Sequence, residues 1–590
     1  MSARFAAWRG QQGAAALAVL LTMVVSRWIL LGESFFNQDD FYLSGRAYDA
    51  DLTLEFLVRD TAGHVNPLQQ LAYWLLAHLA PYDWGLVAAF VLVLQTATTV
   101  VMWLLLTRLL GERWSRVVLL AVFAWAPITL ATTLWWSAAM GLWPHLLCSL
   151  LAVWFLVRWH QGDARGVTSV LAIVLTTTVG LLWHERAVLI VPVLFGVAVC
   201  LCDESIGWRR LRAATIRYRW LWAWLVLLLA GFLVAHGLLT DVEGGESTFR
   251  EQAGVTWSFL GKNVVPGFFG GPWAGELEGG AVRPATWVVV MSAGLALVVA
   301  ALLVLRGGPA RRWALVVLSG YVVADLALLI SGRAGFGAII GLDPRYSSDV
   351  IHAAVLCAAL ALRGGPDWLA LRWAAQSTRR QTIAVTALIG AYGVAACLGT
   401  ALLVPHFQNT EDRSFVANLR ADLAADPTQV IFDDLAPADV VLPLVGDDSR
   451  LSRVFGQLPE HPAFDEPSAR MRVVGEDGHL KPTVFAGSVP AVPGPDGECG
   501  HEVGARDVAV PFRLPVEGRV LIRIAYFASN ESTVAVAAGD WEASFLARRG
   551  PNEMWLVLPD VPGPVAALDL RSDGRSIVCV TGVDAGLPER

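Results

Sequence analysis

Charge is scarce in this 590-residue chain: Asp, Glu, Lys and Arg make up 16% of it, against about 25% in ordinary soluble proteins. Lysine is nearly missing. It occurs only as Lys262 and Lys481, so Arg carries almost all the positive charge. A hydrophobic content of 55% excludes a disordered chain. Cysteine is scarce too, at seven residues, and in the soluble part neither the spacing of Cys499 and Cys579 nor a neighbouring His suggests zinc. No repeat of about 20–50 residues is visible, so a solenoid is excluded. Gly261-Lys262-Asn263 is not a phosphate-binding loop, because Gly254 stands at the wrong distance before it.

What the chain has instead is apolar runs of about 20 residues, each able to span a bilayer. Eleven are readable, near 13–32, 84–108, 116–134, 143–159, 166–183, 187–202, 220–239, 286–305, 313–331, 349–363 and 381–404. Arg collects between them in alternate loops: Arg4 and Arg9; Arg113 and Arg116; Arg158 and Arg165; Arg209, Arg210, Arg212, Arg217 and Arg219; Arg306, Arg311 and Arg312; Arg372, Arg379 and Arg380. All six groups fall on one side if the N-terminus is cytoplasmic, as the positive-inside rule requires. The first run lacks a small-residue cleavage site and reads as an uncleaved anchor. The expectation is a multi-pass plasma-membrane protein with the loops 33–83 and 240–285, and everything after 405, outside.

The net charge of −7 hides a split. Residues 1–404 hold 28 Lys+Arg against 23 Asp+Glu, and residues 405–590 hold 16 against 28. The acidic second part argues against nucleic acid as a partner. Its expected organisation is a transmembrane domain over 1–404, an α/β linker segment over 405–470 and an exported β-sandwich-like domain over 471–590. Ser414–Ala425 has a helical pattern, and a strand-like run follows at Val430–Phe432. From about 470, short alternating runs (Val508–Leu514, Val520–Ala528, Thr533–Ala537, Met554–Leu558, Ser576–Val580) separated by Gly, Pro, Asp and Asn suggest a sandwich. Cys499 and Cys579 alone lie in this part, which permits one disulfide.

Five clusters could carry chemistry, and each has a plainer reading. Asp39-Asp40, among Phe35, Phe36, Phe41 and Tyr42, are adjacent acids just past the first span. They suit a general base or a divalent metal site, or merely a capped helix start. His64 precedes an amphipathic stretch Leu68–Leu79 and could be acid, base or ligand, or a polar helix-start residue. Trp135-Trp136, with His145 soon after, suit an interfacial belt or stacking on a sugar. His184-Glu185-Arg186 lie between two apolar spans, where ionisable groups are costly unless they face protein or water. They are not a zincin motif; Arg186 suits a phosphate, or a structural ion pair. Asp343-Pro344-Arg345-Tyr346 offers a second phosphate-type Arg, or an interfacial anchor. The loop 240–285, with Phe268, Phe269, Gly270, Gly271, Pro272 and Trp273, could close over a substrate or rest on the membrane. Elsewhere the spans offer few interior charges, so an ion pathway has little support.

All five clusters fall on the outer face. With Asp39-Asp40 after the first span, a long first outer loop holding His64, about eleven spans and Arg345-Tyr346 near a late span, residues 1–404 resemble the GT-C superfamily of membrane glycosyltransferases. The likeness is to members from high-GC Gram-positive bacteria. The resemblance implies a polyprenyl-phosphate-sugar donor, an inverting transfer to a glycan, lipid or protein acceptor, and a role in cell-envelope biogenesis. It implies Asp39 or Asp40 as base, with a divalent metal (magnesium or manganese) left open. Arg345 and Arg186 would hold the lipid phosphate, and His64 would assist either partner. Tyr346, His184, Glu185, Trp135, Trp136 and His145 would line the substrate. The C-terminal sandwich would bind glycan through aromatics such as Trp541 or Trp555, which could equally be core. The competing reading is a non-catalytic scaffold, or a protein that binds or flips a lipid-linked glycan.

Overall fold

The computed structural model describes residues 10–61, 63–202, 207–240, 247–278, 281–305, 309–363, 378–495 and 497–589. Arg4, Arg9, Arg306 and Arg372 lie outside the described residues, as do Ala62 and the side chains of Arg379 and Arg380. The chain divides into two compact units. One holds residues 1–36, 50–76 and 83–409; the other holds 37–49, 77–82 and 410–590.

The first unit is helical, and the protein is a multi-pass membrane protein. Apolar helices stand at all eleven expected positions, from Gly10–Gly32 to Thr378–Phe407. Among the described residues, nine stretches are long and apolar enough to cross a membrane. The other two are short. Ile190–Leu201 has 12 residues and Val350–Leu362 has 13, roughly 18–20 Å of helix against a hydrocarbon core of about 30 Å. The reason is local. Each is preceded by a charged 3-10 segment, Glu185–Leu189 and Pro344–Tyr346, so polar backbone occupies the length a full span would need.

A third interruption comes from proline. The helix Ser115–Trp125 stops at Ala126, before Pro127, because proline disfavours helical backbone at the residue ahead of it. The carbonyls this frees must find donors. Tyr392 donates to Val122 O at 3.1 Å, and the buried Arg27 donates through Nη2 to Ala126 O at 3.5 Å.

The described part of the loop 240–285, read above as able to close over a substrate or rest on the membrane, is built of regular elements. After a capping box at Thr248 and Glu251 it forms the helix Phe249–Trp257, a π-helical turn Ser258–Val264 and a hairpin of Gly275–Glu278 with Ala281–Pro284. Asn263 donates to the carbonyls of Gly341 and Leu342 at 3.3 and 3.2 Å. A Cβ at Gly341 would sit 2.5 Å from Val255 O, so only glycine allows this approach.

The second unit gathers the segment 37–49 with the chain after 410. The helix Asp39–Tyr48 packs on Leu451–Phe455, with Phe41, Tyr82 and Phe455 ring to ring and Ser44 donating to Gln457 at 3.1 Å. A small mixed sheet orders Ala463–Phe464, Val430–Ile431, Met471–Val474 and Leu480–Pro482. Next come two antiparallel sheets. One orders Gly550–Leu558, Val520–Ala528, Val578–Pro588 and Phe485–Pro490, with His501–Val503 also on Val578–Pro588. The other orders Trp541–Ala547, Ser532–Ala538, Val565–Ser572 and Val508–Val516.

Val510, Ile522, Ile524, Val534, Val536, Leu568 and Leu570 form the core between these two sheets, giving a β-sandwich. Ser532–Ala538 alternates buried and less buried positions, as a one-sided strand should. Val520, Leu521 and Ile522 are buried in succession, because Leu521, Trp555 and Val557 pack on Val430 and Met471 of the mixed sheet and on Phe432 just past its strand. Trp555 is therefore core, not a sugar platform, and Trp541 packs against the sandwich core. Cys499 and Cys579 are disulfide-bonded.

Candidate functional site

The two truncated helices of the first unit begin at the same place, and their leading segments build one ionic cluster. Glu185 lies between two imidazoles. His64 Nδ1 is 2.8 Å from its Oε1, and His184 Nδ1 is 3.5 Å from its Oε2. The hairpin-like bridge of Thr61 with His64 brings His64 there. On its other side, His64 Nε2 lies 2.8 Å from the Arg333 guanidinium. His184 Nδ1 accepts the Arg186 backbone N–H at 3.2 Å, which caps the 3-10 turn. Gly141 makes room for this ring: a Cβ there would lie 2.5 Å from His184 Cδ2.

Arg186 faces the opposite way, into carboxylates. Its Nη1 is 3.3 Å from Asp349 Oδ1, 3.8 Å from Asp325 Oδ1 and 3.4 Å from the Arg345 carbonyl. Asp349 also accepts from Tyr321 OH at 2.6 Å, and its backbone carbonyl meets His352 Nδ1. His352 Nε2 lies 3.2 Å from Ser149 Oγ. Arg345 is clamped by Asp343, with Nε and Nη2 each 2.6 Å from Oδ2, and lies 3.9 Å over the Trp135 ring. Tyr346 lies beside both arginines, 5.6 Å from Arg186 and 5.7 Å from Arg345.

The protonation states follow from these neighbours. Burial lowers the His184 pKa to about 4, so the ring is neutral near pH 7. Burial alone would raise Glu185, but His184 and His64 outweigh it and hold the carboxyl well below its usual range. Glu185 in turn raises His64 above its ordinary value, against burial, Arg333 and Arg186. Burial opposes the charge on Arg186, yet Asp325 and Asp349 hold it firmly protonated.

Of the residues singled out in the sequence, the structure brings together His64, His184, Glu185, Arg186, Arg345, Tyr346 and Trp135. His145 stands beside them, its ring 6.0 Å from His352, buried and with neither nitrogen hydrogen-bonded among the described residues. Trp136 packs on Tyr73 and Phe90 instead. Neither Trp135 nor Trp136 forms an interfacial belt, since both are buried. Among the described residues, the interior charges Asp325 and Arg27 are both buried within spanning helices. Asp325, Asp349, Tyr321, His352 and Arg333 join the cluster from outside the five sequence motifs. For Asp325 the signal was present: one carboxylate in an apolar run is costly and therefore purposeful.

Asp39 and Asp40 belong to the other unit. They open the helix Asp39–Tyr48. Asp40 is fully buried and its Oδ2 accepts the Asn37 N–H at 3.0 Å; Asp39 is partly buried. Successive helix positions point about 100° apart, so the pair does not face one point. Among the described residues, no group of three or more His, Cys, Asp or Glu is arranged to hold a metal ion.

No family model matches the chain, and no curated protein matches it. Two solved structures are similar to it. One is a cryo-EM structure of the arabinofuranosyltransferase AftD from mycobacteria, at 11% identity and a TM-score of 0.40, covering 96% of this chain and 58% of that one. The other is the R1389S mutant of the same enzyme, class 1, at 13% identity and a TM-score of 0.30, covering 88% and 55%. This chain thus spans little more than half the length of those proteins.

Proposed function

We propose that this protein transfers a sugar from a polyprenyl-phosphate-linked donor to an extracytoplasmic glycan, lipid or protein, as an inverting membrane glycosyltransferase of the GT-C type. The observation that carries the reading is the ionic cluster where the two short helices begin. Guanidinium groups stacked on Trp135 and Tyr346, at the ends of apolar helices, suit a ligand with an anionic head and an apolar tail. In the transfer, the acceptor oxygen bonds to the anomeric carbon as the bond from that carbon to the phosphate oxygen breaks. The electron pair leaves with the polyprenyl phosphate, and a carboxylate takes the acceptor proton.

Asp39 is the favoured base, because the Asp40 carboxylate is fully buried and Asp39 is partly exposed. Asp40 and a divalent ion on the pair are the alternatives. Assay in EDTA, then with magnesium or manganese restored, decides on the ion. Export of the second unit is supported by the Cys499–Cys579 disulfide, which belongs to oxidising compartments. It is also supported by the Arg-rich alternate loops. Labelling of single introduced cysteines by a membrane-impermeant reagent in intact cells tests that orientation.

A second reading, binding of a lipid-linked glycan without transfer, has one observation in its favour. Arg186 and Arg345 are each already paired with carboxylates of this chain. The test is transfer from a panel of radiolabelled polyprenyl-phosphate sugars by native protein, Asp39→Asn and Asp40→Asn. Loss in Asp39→Asn with donor binding retained supports the base. Transfer surviving both changes removes the assignment, and donor binding with no transfer from any donor favours the second reading.

A further inference from the structure

Three arginines reach the cluster, and they are not equivalent. Arg186 is held by Asp349 and Asp325, and Arg345 by Asp343 through both Nε and Nη2. Among the described residues Arg333 has no carboxylate within ion-pair distance. Among the described residues its one hydrogen-bond partner is His64 Nε2 at 2.8 Å, and its guanidinium carbon lies 6.0 Å from the Phe336 ring centre. It ends the helix Pro309–Arg333, where a cation is favoured, and is only partly buried.

The bond to His64 fixes the imidazole. A guanidinium has no acceptor, so Nε2 must be bare and the ring neutral, with its proton on Nδ1. That nitrogen faces Glu185 Oε1 at 2.8 Å. Glu185 therefore selects the tautomer, His64 presents a lone pair, and the lone pair holds one N–H of Arg333. The other N–H groups of the fork remain for an anion.

We propose that Arg333 is a phosphate-binding residue of this unit and that His64, oriented by Glu185, is its positioning residue. This rests on the donor class given above and assigns its phosphate a further ligand beside Arg186 and Arg345. Protonation of His64 would put a proton on Nε2 and release Arg333. The groups facing that ring are Glu185, His184, Arg186 and Arg333. His184 is neutral, Arg186 stays charged, and Glu185 favours protonation.

The test uses the full-length protein in detergent, with farnesyl phosphate, farnesol and inorganic phosphate as probes. Native protein is expected to prefer farnesyl phosphate to farnesol. Arg333→Gln is expected to weaken farnesyl phosphate about tenfold or more, the size of a lost charge-assisted contact, and to leave farnesol unchanged. Arg333→Lys, which keeps charge but not the fork, should lose part of that, and thermal melting of both variants checks folding. His64→Leu should lose as much as Arg333→Gln. His64→Gln, which keeps an acceptor, should rescue affinity relative to His64→Leu.

The pH profile separates positioning from mere packing. Native affinity should fall as pH drops through the His64 titration. His64→Gln should show only the probe's own titration. Equal binding by native protein and Arg333→Gln would overturn the assignment and leave the donor class standing. No preference for farnesyl phosphate over farnesol in native protein would overturn both. Inorganic phosphate binding as tightly as farnesyl phosphate would overturn the lipid-linked part. Affinity that rises on acidification in native protein, and not in His64→Gln, would make His64 itself the ligand and overturn its positioning role.

Discussion

The His184 ring lies where a Cβ on Gly141 would have to go, 2.5 Å from Cδ2 and 2.9 Å from Nε2. His184 is held from its other edge by the Arg186 N–H. A methyl group at position 141 therefore pushes the ring toward Glu185 or pushes two elements apart. Overpacking of this kind costs about 1–3 kcal/mol. Gly141→Ala should lower the melting temperature and weaken transfer more than its stability loss explains. Normal transfer by a folded Gly141→Ala protein would show that His184 can move without consequence.

The buried carboxylates around Arg186 make the second prediction. Removing one member of a buried pair leaves a charge without its partner and typically costs about 3–5 kcal/mol. Asp349→Ala should fall in that range, because Asp349 also accepts from Tyr321. Asp325 stands farther from Arg186, at 3.8 Å against 3.3 Å, so Asp325→Asn should cost less. Tyr321→Phe should cost about 1 kcal/mol, one hydrogen bond. Thermal unfolding of the three variants in one detergent gives the order, and a larger loss in Asp325→Asn than in Asp349→Ala would reverse the assignment of the principal partner.

These partners mark how far the sequence could be read. Arginine-bearing loops and apolar runs placed all eleven helices, since both signals are local. Residues at chain neighbours, such as His184 with Glu185 or Arg345 with Tyr346, were legible for the same reason. Arg333 meeting His64 was not, because the two are 269 positions apart and neither has an unusual neighbour. Asp39-Asp40 show the reverse. Their composition stood out, but their membership in the unit of residues 410–590 depends on packing of Phe41 against Tyr82 and Phe455, which no local pattern encodes. Strands such as Val565–Ser572 escaped because Asp569 and Arg571 interrupt their apolar content.

Stability should depend on pH through two histidines acting in opposite senses. His184 is lowered to about 4 in the folded protein. Between its unfolded value near 6.5 and about 4, the unfolded chain binds a proton that the folded one refuses. Stability is then lost as pH falls, by roughly 3 kcal/mol at most. His64 is raised, so its contribution is full below about 6.5 and is lost as pH rises through its folded value. His184→Asn should therefore flatten the acid side of a stability profile, and His64→Gln the side above about 6.5. Unfolding free energies across pH 4.5 to 8.5 check both, and an unchanged acid limb in His184→Asn would mean that other groups set it.

The last prediction concerns the disulfide. Cys499 and Cys579 are 80 positions apart, so the bond closes a loop that takes in most of the sandwich strands. Chain-entropy arguments give such a loop about 4–5 kcal/mol of stabilisation, acting through the unfolded state. Cys579 sits in Val578–Pro588, paired to Glu502 in a short three-residue strand. The strand His501–Val503 has few ladder bonds of its own, so the covalent link is what fixes it. Cys499→Ser with Cys579→Ser should lower the unfolding temperature of the β-rich unit and leave that of the helical unit unchanged. Hydrogen exchange resolves the two units: faster exchange in residues 485–589, with none added in the helices, is expected. If the double variant exchanged like the native protein, the sandwich core of Val510, Ile522, Val534 and Leu568 would by itself be sufficient to hold the fold.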